Sequence, residues 1–464
     1  MQHTPKHAAL GFLAAALVWA GCAHEWTTDE EKEDDAGLED DAGTDDADPP
    51  EDATVGEETT PADDAGVTDA GSRDETSDDA DEATDAGGDC GPIGELTWNI
   101  VDLGVGAVAY DIARDNLGGK HLLRKDGGAL HYGRFDDGSV TGDVVLPGSD
   151  SVVTTFARPR VAVRPDGSAV HTCWANAGPT RADRLYHAWR DAAGTWRREV
   201  AWQSPAGSPR RAAVPAVGVD ADGTVHVIAQ FWDDCFVSGC VPTEYSVAYA
   251  SRPVGGIWSD WEPLYSGARE MRHCSIFTDP DGGIHATWKG WRLDGAYRYA
   301  AAAGGLADAP TIGIPIAPGA VSAGMGDSFA PVDGTVHHAH VSFDTRSIDY
   351  ARLDPGGGRF EWQGTPSGGP VPSASDFDPW PAIVADECGR VVVAWAGQTG
   401  ALGASRLDQL QTAVLDDGTW TVQTVDSAAD IPKTGKPALT ITGNTVWMVW
   451  RGDGGNLRLA TARL

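Results

Sequence analysis

The sequence predicts an all-β protein: a seven-bladed β-propeller of four-stranded antiparallel blades, closed by an N-terminal strand and preceded by a disordered acidic linker. Three observations predict this fold. A unit of four short strands recurs about every 55 residues, no segment of 11 or more residues carries a helical apolar stripe, and the last unit lacks one strand. We divide the 464 residues into a signal segment (1–21), a linker (22–89) and the propeller (90–464).

The register of the repeat follows from a glycine in the first hairpin turn of each unit, where the backbone needs a positive φ. Successive turn glycines are 49 to 59 residues apart, which corresponds to seven units. They are Gly118, Gly167, Gly223, Gly282, Gly334, Gly389 and Gly443.

The second unit shows how one blade is built. Residues 160–163 form a strand, residues 165–167 (Pro-Asp-Gly) turn the chain, and residues 169–174 return as the second strand. Residues 185–189 and 196–200 supply the third and fourth strands. Many strands of the repeat are almost wholly apolar, as expected for sheets that are buried on both faces between neighbouring blades.

The two ends of the propeller complement each other. The last unit has three strands, at residues 437–441, 445–450 and 457–464. Residues 96–101 precede the first complete unit and belong to no blade. We expect them to supply the outer strand of the seventh blade, because closure of the ring removes exposed strand edges.

The pattern resembles the sialidase-like and BNR-type propellers of bacteria. The resemblance rests on residues 245–250 followed by 257–259 and on the turn strings at 165–167 and 222–226, and it covers about residues 95–464. It implies the propeller fold. The Asp-box of that family, Ser-x-Asp-x-Gly-x-x-Trp, is not found; residues 416–420 (Asp-Asp-Gly-Thr-Trp) come nearest, with a different spacing.

Resemblance to sialidases implies a site with an arginine cluster for a carboxylate, a Tyr with a partner Glu, and an Asp acid. Arg160, Arg211 and Arg272 are candidates for the cluster, with Tyr297 and Glu244 in nearby loops. However, sialidase propellers have six blades, and this sequence has seven units. We therefore expect a monomeric binding or adhesion module for a glycan or a surface protein. A sialidase-like glycoside hydrolase, with its catalytic residues unassigned, and a protein-interaction scaffold are the alternatives.

A central pocket would distinguish these classes: two or more carboxylates beside the arginines would favour the hydrolase. For a binding module, the loops after the second strands and between blades converge on one face. There, flat aromatic rings beside charged groups suit sugar rings, whose faces stack and whose hydroxyls form hydrogen bonds. The alternative for each Trp is packing between blades. The candidate ligand-binding residues are Trp232, Asp233, Trp288, Trp291, Arg292, Arg160, Arg211 and Arg272.

Four histidines recur in the second strands, and a metal site is one interpretation of this repetition. Because the ring separates equivalent positions of different blades, we expect hydrogen-bonded structural histidines instead. No Cys-x-x-Cys spacing occurs, so we expect neither a metal nor a cofactor. The four are His171, His226, His285 and His337.

The first residues are typical of an export signal. Lys6 precedes a 13-residue apolar run at 8–20, which is short for a membrane span. Gly21-Cys22 then resembles the lipobox of bacterial lipoproteins, although Trp19 stands where Leu is usual. The resemblance implies cleavage before Cys22 and lipid on that residue, and hence a membrane partner and a place in the cell envelope, at the outer membrane or cell surface. A plain secretory signal is the alternative.

The linker carries most of the net charge of −35. Residues 29–89 hold 27 acidic and 2 basic side chains, with repeated Asp-Ala-Gly and no aromatics. Such a segment buries too little apolar surface to fold, and its like charges extend it, so we expect a disordered tether. A calcium-buffering tract is the alternative, but it lacks the spacing of a calcium loop. An acidic chain of this kind is a poor nucleic-acid partner.

The cysteines are expected to form disulfides after export. Cys235 and Cys240 lie in one loop and form one candidate pair. Cys90 precedes the closing strand and Cys388 lies in the first turn of the sixth unit, so closure of the ring would bring them together. Cys173 and Cys274 belong to non-adjacent blades, and we expect both to stay free.

Overall fold

The computed structural model describes Cys90, Ile93 and residues 95–464, apart from residues 137, 150–158, 177–181, 192, 234–244, 268–270, 280–282, 291–296, 317, 319–322, 330–332, 343–344, 372–379, 398–405 and 433–435. The signal segment, the linker and Cys22 lie outside these residues, so the expectations about them remain predictions. No helix among the described residues is long and apolar enough to cross a membrane.

The described chain forms seven four-stranded antiparallel sheets, as predicted. Strand β1 (Asn99–Gly106) is followed by blade 1, blade 2 and blade 3. Blade 1 has β2 (Ala109–Arg114), β3 (Lys120–Asp126), β4 (Ala129–Asp136) and β5 (Ser139–Val145). Blade 2 has β6 (Arg160–Val163), β7 (Val170–Ala175), β8 (Arg184–Arg190) and β9 (Trp196–Gln203). Blade 3 has β10 (Arg210–Val219), β11 (Val225–Asp233), β12 (Tyr245–Arg252) and β13 (Glu262–Gly267).

Four more blades complete the ring. Blade 4 has β14 (Met271–Thr278), β15 (Gly283–Gly290), β16 (Tyr297–Ala303) and β17 (Ile312–Ile314). Blade 5 has β18 (Ala323–Phe329), β19 (Val336–Ser342), β20 (Ile348–Leu353) and β21 (Glu361–Gly364). Blade 6 has β22 (Ala382–Ala385), β23 (Val391–Gly397), β25 (Gln409–Asp416) and β26 (Thr419–Asp426); a small sheet pairs β24 (Arg406–Leu407) with β27 (Ile431–Pro432). Blade 7 has β28 (Ala438–Thr442), β29 (Thr445–Arg451), a short 3₁₀ turn (Asp453–Gly455) and β30 (Asn456–Arg463).

The N-terminal strand closes the ring, which confirms the predicted closure. β1 pairs antiparallel with β30 and becomes the outer strand of blade 7. It covers Asn99–Gly106 rather than residues 96–101, because the residues before it are held by blade 6 instead. The backbone N–H of Ile93 donates to Asp416 Oδ2 at 2.8 Å, and Gln423 Nε2 donates to the Leu96 carbonyl at 3.2 Å.

A disulfide joins the start of the closing segment to blade 6. Cys90 and Cys388 are bonded, as the sequence predicted. Cys388 lies in the turn between β22 and β23, where its backbone N–H donates to the Asp386 side chain at 3.0 Å. Cys173 and Cys274 are buried free cysteines. Cys235 and Cys240 lie outside the described residues, so their pairing remains a prediction.

Each blade packs on the next through apolar side chains of its second strand. Four tryptophans near the end of that strand are fully buried, and each faces the preceding blade: Trp288, for example, lies in a cluster with Ile228 and Val247 of blade 3, and Trp395 in one with Val341 and Tyr350 of blade 5. A large flat side chain fills the wedge between two twisted sheets. The four tryptophans are Trp174, Trp288, Trp395 and Trp450.

The second-strand histidines are structural, as predicted. In blade 3, Asp220 Oδ1 accepts from the Thr224 backbone N–H at 2.8 Å, and Asp220 Oδ2 lies 3.2 Å from His226 Nε2. A carboxylate only accepts, so Nε2 carries the proton and Nδ1 accepts from the Tyr249 hydroxyl at 2.8 Å. The turn and the second and third strands are thereby tied together.

The same Asp-His-Tyr network recurs with a fixed spacing, Asp-x-x-Gly-x-x-His. Blade 1 uses Asp115, His121 and Tyr132, and blade 4 uses Asp279, His285 and Tyr299. Blade 5 keeps the His337–Tyr350 bond, and in blade 2 His171 bonds His187 instead of a Tyr. Because the spacing is regular, it could have been recognised in the sequence.

Candidate functional site

The inner strands of the seven blades surround a cavity of about 130 Å³ on the axis of the propeller. Apolar residues such as Val161, Val217 and Ile383 line part of its wall, but polar atoms make up most of the surface that faces the cavity. Four charged side chains are among the lining residues. They are Asp111, Arg160, Asp327 and Lys436, named here the axial quartet.

The axial quartet alternates in charge. Arg160 lies between the two carboxylates, with Nη1 at 3.8 Å from Asp111 Oδ1 and Nη2 at 3.8 Å from Asp327 Oδ1. Lys436 Nζ donates to Asp327 Oδ2 at 2.9 Å. Four groups from blades 1, 2, 5 and 7 therefore meet on one axis.

Backbone contacts hold the quartet in place. The Val161 N–H donates to Asp111 Oδ2 at 3.0 Å, which ties β2 to β6 and sets Arg160 beside Asp111. Burial raises the pKa of Asp111, while the nearby charges of Arg160 and Lys436 partly oppose the rise. This carboxyl therefore keeps its proton to a higher pH than an exposed aspartate does.

Arg160 has unused hydrogen-bonding capacity. Within the described part of the chain, its guanidinium makes the two ion pairs at 3.8 Å and no shorter hydrogen bond. A guanidinium has five N–H donors in a planar fork, suited to hydroxyl or carboxylate oxygens. Its side chain is partly exposed to the cavity, so it can meet a ligand there.

The inner strands of blades 3, 4 and 5 are bulged near their first residues. Each inner strand follows the outer strand of the preceding blade, so these ends lie on one face. Register shifts lie between Ala213 and Ala216 in β10 and between Arg272 and Ser275 in β14. β18 has a third shift, between Ala323 and Gly326.

Two of these bulges hold strained residues. Val214 has φ 52° and His273 has φ 59°, values that side chains with a Cβ rarely adopt. The His273 ring packs edge-on against Trp380, whose Nε1 donates to the Gly326 carbonyl at 3.0 Å. Bulges and backbone strain cluster beside functional sites, which supports this face as the entrance to the cavity.

Of the three arginines proposed to converge, the structure places Arg160 in the cavity. Arg211 does not reach it: its guanidinium is buried in blade 3 and donates to the Ser208 and Arg210 carbonyls at 3.2 and 2.9 Å. The expected convergence of Arg211 with Arg160 is therefore wrong, because backbone carbonyls near the start of β10 hold the Arg211 guanidinium. Arg272 lies at the bulge of β14, and its side chain lies outside the part of the molecule that the structure describes.

The predicted aromatic site is not assembled by the described residues. Trp288 is fully buried among blade 3 side chains, so the packing alternative holds for it and a stacking role is excluded. Trp232 packs half-buried against a core cluster, and Asp233 accepts from Arg210 Nη1 at 3.2 Å. Trp291 and Arg292 lie outside the described residues, and their role remains a prediction. Tyr297 is buried between blades rather than in the axial cavity.

Sequence reasoning missed three members of the quartet, although one signal was present. Asp111 interrupts the apolar inner strand β2, and Asp327 does the same in β18. A charge in a strand that should be buried on both faces points to a partner or a site. In this part of the chain, no group of three or more His, Cys, Asp or Glu is arranged to hold a metal ion.

The chain matches no protein-family model and no curated protein. It is similar to several solved structures. A polysaccharide lyase shares 12% identity at TM-score 0.48, covering 78% of this chain and 91% of that one. A Hadza microbial sialidase shares 13% at 0.45 over 75% and 73%, and an α-L-arabinanase of Penicillium chrysogenum complexed with arabinobiose shares 10% at 0.45 over 70% and 99%. At these sequence identities and TM-scores, the similarity assigns no activity to this chain.

Proposed function

We propose that this protein is an exported binding protein whose axial cavity holds the terminal residue of a glycan. The observation that carries the proposal is the axial quartet, in which acceptors and donors alternate in a cavity wall that also holds apolar side chains. A sugar presents the matching pattern, because each hydroxyl both donates and accepts and the ring carries apolar C–H groups. Asp111 and Asp327 would accept from hydroxyls, and Arg160 would donate.

The size of the cavity limits the ligand. The cavity of about 130 Å³ is well below the volume of a site for a drug-sized ligand. Sites for larger ligands measure about 300–1,000 Å³. The cavity therefore suits one end unit of a glycan rather than an internal segment, with the rest of the chain outside the entrance.

Hydrolysis is the second candidate, and a specific observation favours it. Asp111 and Asp327 are two carboxylates beside an arginine in a central pocket, and burial raises the pKa of Asp111. Glycosidases use such a pair, one carboxyl as acid and one as base or nucleophile. We place binding first, because Arg160 lies between the two carboxylates, where the scissile bond would have to lie.

A glycan array with the full chain tests the proposal. Arg160→Ala removes charge-assisted hydrogen bonds, and we expect binding to fall at least about tenfold. Arg359→Ala is the matched control, because its side chain is 83% exposed and pairs with Glu361. Absence of any glycan bound by the wild type, or unchanged binding by Arg160→Ala, would contradict the proposal and favour a scaffold.

Hydrolysis has a separate readout. A glycan that the array identifies is incubated with the wild type and with Asp111→Asn, and the release of its terminal sugar is measured. Release by the wild type that Asp111→Asn abolishes would establish the hydrolase. Binding without release would leave the protein a lectin-like module.

The anchor is part of the same proposal. Cleavage before Cys22 would leave a lipidated cysteine followed by an acidic tether that holds the propeller away from the membrane. We expect Cys22→Ser to move the protein from the membrane fraction to the soluble exported fraction. Unchanged membrane association of the variant would contradict lipid anchoring.

A further inference from the structure

The interface between blades 4 and 5 differs in composition from its neighbours. In blades 4, 6 and 7 a buried tryptophan stands six or seven residues after the turn glycine and faces the preceding blade: Trp288, Trp395 and Trp450. The corresponding residue of blade 5 is His340, six residues after Gly334. An imidazole thus stands where blades 4, 6 and 7 place a large apolar ring.

Further polar groups surround His340. His338 lies on the same face of β19, with its ring 5.2 Å from that of His340. The Tyr297 ring of blade 4 lies 4.4 Å from His338, and Asp349 Oδ2 lies 3.8 Å from His340 Nε2. Lys289 of blade 4 is also buried here, and its charge acts on His340. We name these five residues the seam cluster.

Hydrogen bonding defines the state of the two imidazoles. Ser328 Oγ donates to Thr287 Oγ1 at 3.2 Å, so His338 Nδ1 donates to Ser328 Oγ at 2.7 Å. His338 is then neutral, with a lone pair on Nε2, which has no hydrogen-bond partner among the described residues. Within the same part of the chain, neither nitrogen of His340 has one. Burial of both rings away from water opposes protonation, and Asp349 is the carboxylate near enough to offset a charge on His340.

The seam cluster is connected to the axial cavity. Ser328, which His338 contacts, lines the cavity and follows Asp327 of the axial quartet directly in β18. A shift of β18 would therefore change the Asp327 contacts to Lys436 and Arg160. The hydrogen bond between His338 and Ser328 and the peptide unit between Asp327 and Ser328 connect the seam cluster to the axial quartet.

We propose that the seam cluster is an acid-operated latch that releases the axial ligand: proton uptake by His338 or His340 separates blades 4 and 5 and withdraws Asp327 from the quartet. The ligand-release part rests on the proposed function; the opening of the seam does not. Two new positive charges would face Lys289 in a dry interface, and Asp349 can offset one of them.

The direction of the effect follows from the titration of each state. In the closed seam, burial lowers the pKa of His338 to about 3 and that of His340 well below its usual value, whereas in an open seam both titrate near 6.5. The closed form is therefore favoured above pH 6.5 and is lost as the pH falls. At pH 5 one histidine raises the opening constant about 30-fold, and two independent ones about 1,000-fold.

Hydrogen exchange of the full chain at pH 7.5 and 5, corrected for the intrinsic pH dependence, tests the latch without any ligand. We expect exchange in β18 and β19 to rise by 30-fold or more at pH 5 in the wild type. The His338→Gln/His340→Trp double variant, which restores the tryptophan of other blades, should show no such rise. Should the indole overfill the seam, His338→Gln alone should reduce the rise about 30-fold.

Two comparisons keep the outcome specific. His121→Gln, in the Asp-His-Tyr network of blade 1, is the matched control and should leave the pH response of β18 and β19 intact. The latch is overturned if wild-type exchange is equal at both pH values or if the double variant still responds. Glycan retention at pH 5 is measured separately. If hydrogen exchange rises at pH 5 but no glycan binds at either pH, the proposed function is rejected and the opening of the seam is retained.

Discussion

Removal of the disulfide between Cys90 and Cys388 should strongly destabilise the propeller. The bond joins residues separated by 298 positions. In the chain-entropy description, closing a loop of that length lowers the conformational entropy of the unfolded chain and so stabilises the fold by about 6 kcal/mol at 25 °C. Removal of native disulfides has measured costs in stability of up to about 5 kcal/mol. We therefore expect Cys388→Ser to lower the free energy of unfolding by about 5 kcal/mol. The folded variant keeps the β1–β30 pairing and should still close.

The assay is guanidinium unfolding followed by tryptophan fluorescence, with and without reductant. In reductant, the wild type and Cys388→Ser should reach the same denaturant midpoint, because the Cys90–Cys388 bond is then absent from both. A further shift of the variant would report a second disulfide, such as the predicted Cys235–Cys240 pair. Coincident midpoints for oxidised wild type and Cys388→Ser would refute the reasoning and show that the closing strand alone carries the ring.

Three further predictions concern packing, the turn network and pH. Trp395→Ala should cost about 3–5 kcal/mol of unfolding free energy in a melting experiment, because it empties the wedge between blades 5 and 6, whereas Trp362→Ala on the exposed outer strand β21 should cost less than about 1. Asp220→Ala should cost about 1–3 kcal/mol in denaturant titrations, because the Thr224 N–H and His226 lose their acceptor. Burial lowers the pKa of His337 to about 4. The contribution of neutral His337 to the free energy of unfolding is therefore present above pH 6.5 and is lost as the pH falls toward 4. Between pH 7 and 5 the free energy of unfolding should fall by about 2 kcal/mol less in His337→Gln than in the wild type; equal falls would contradict this.

The fold could be predicted because its signals are local and repeated. Turn glycines, apolar strands and the missing strand of the last unit identify seven blades, and closure follows once the ring is assumed. The Cys90–Cys388 pair followed from that closure and not from any motif. The start of β1 was displaced because hydrogen bonds from Ile93 and to Leu96 hold the preceding residues on blade 6.

The axial quartet was missed for a physical reason. Its members come from four blades, and Asp111 and Lys436 lie at opposite ends of the propeller sequence. Single charges at the axis have no spacing that a pattern can detect. Trp288 was misassigned because a tryptophan at a strand end looks the same in sequence whether it faces a ligand or the next blade.

The closure of the ring also implies an order of assembly. Asn99 pairs with Thr461, so β1 can pair with its partner strand only after nearly the whole chain has been made. Cys388 lies before blade 7, and its bond to Cys90 can therefore form while the seventh blade is still missing. That bond would hold β1 beside the place that blade 7 will occupy. The pairing of β1 with β30 then closes a short loop instead of one that spans nearly the whole propeller. The disulfide is in this sense a guide for assembly as well as a clasp on the finished propeller.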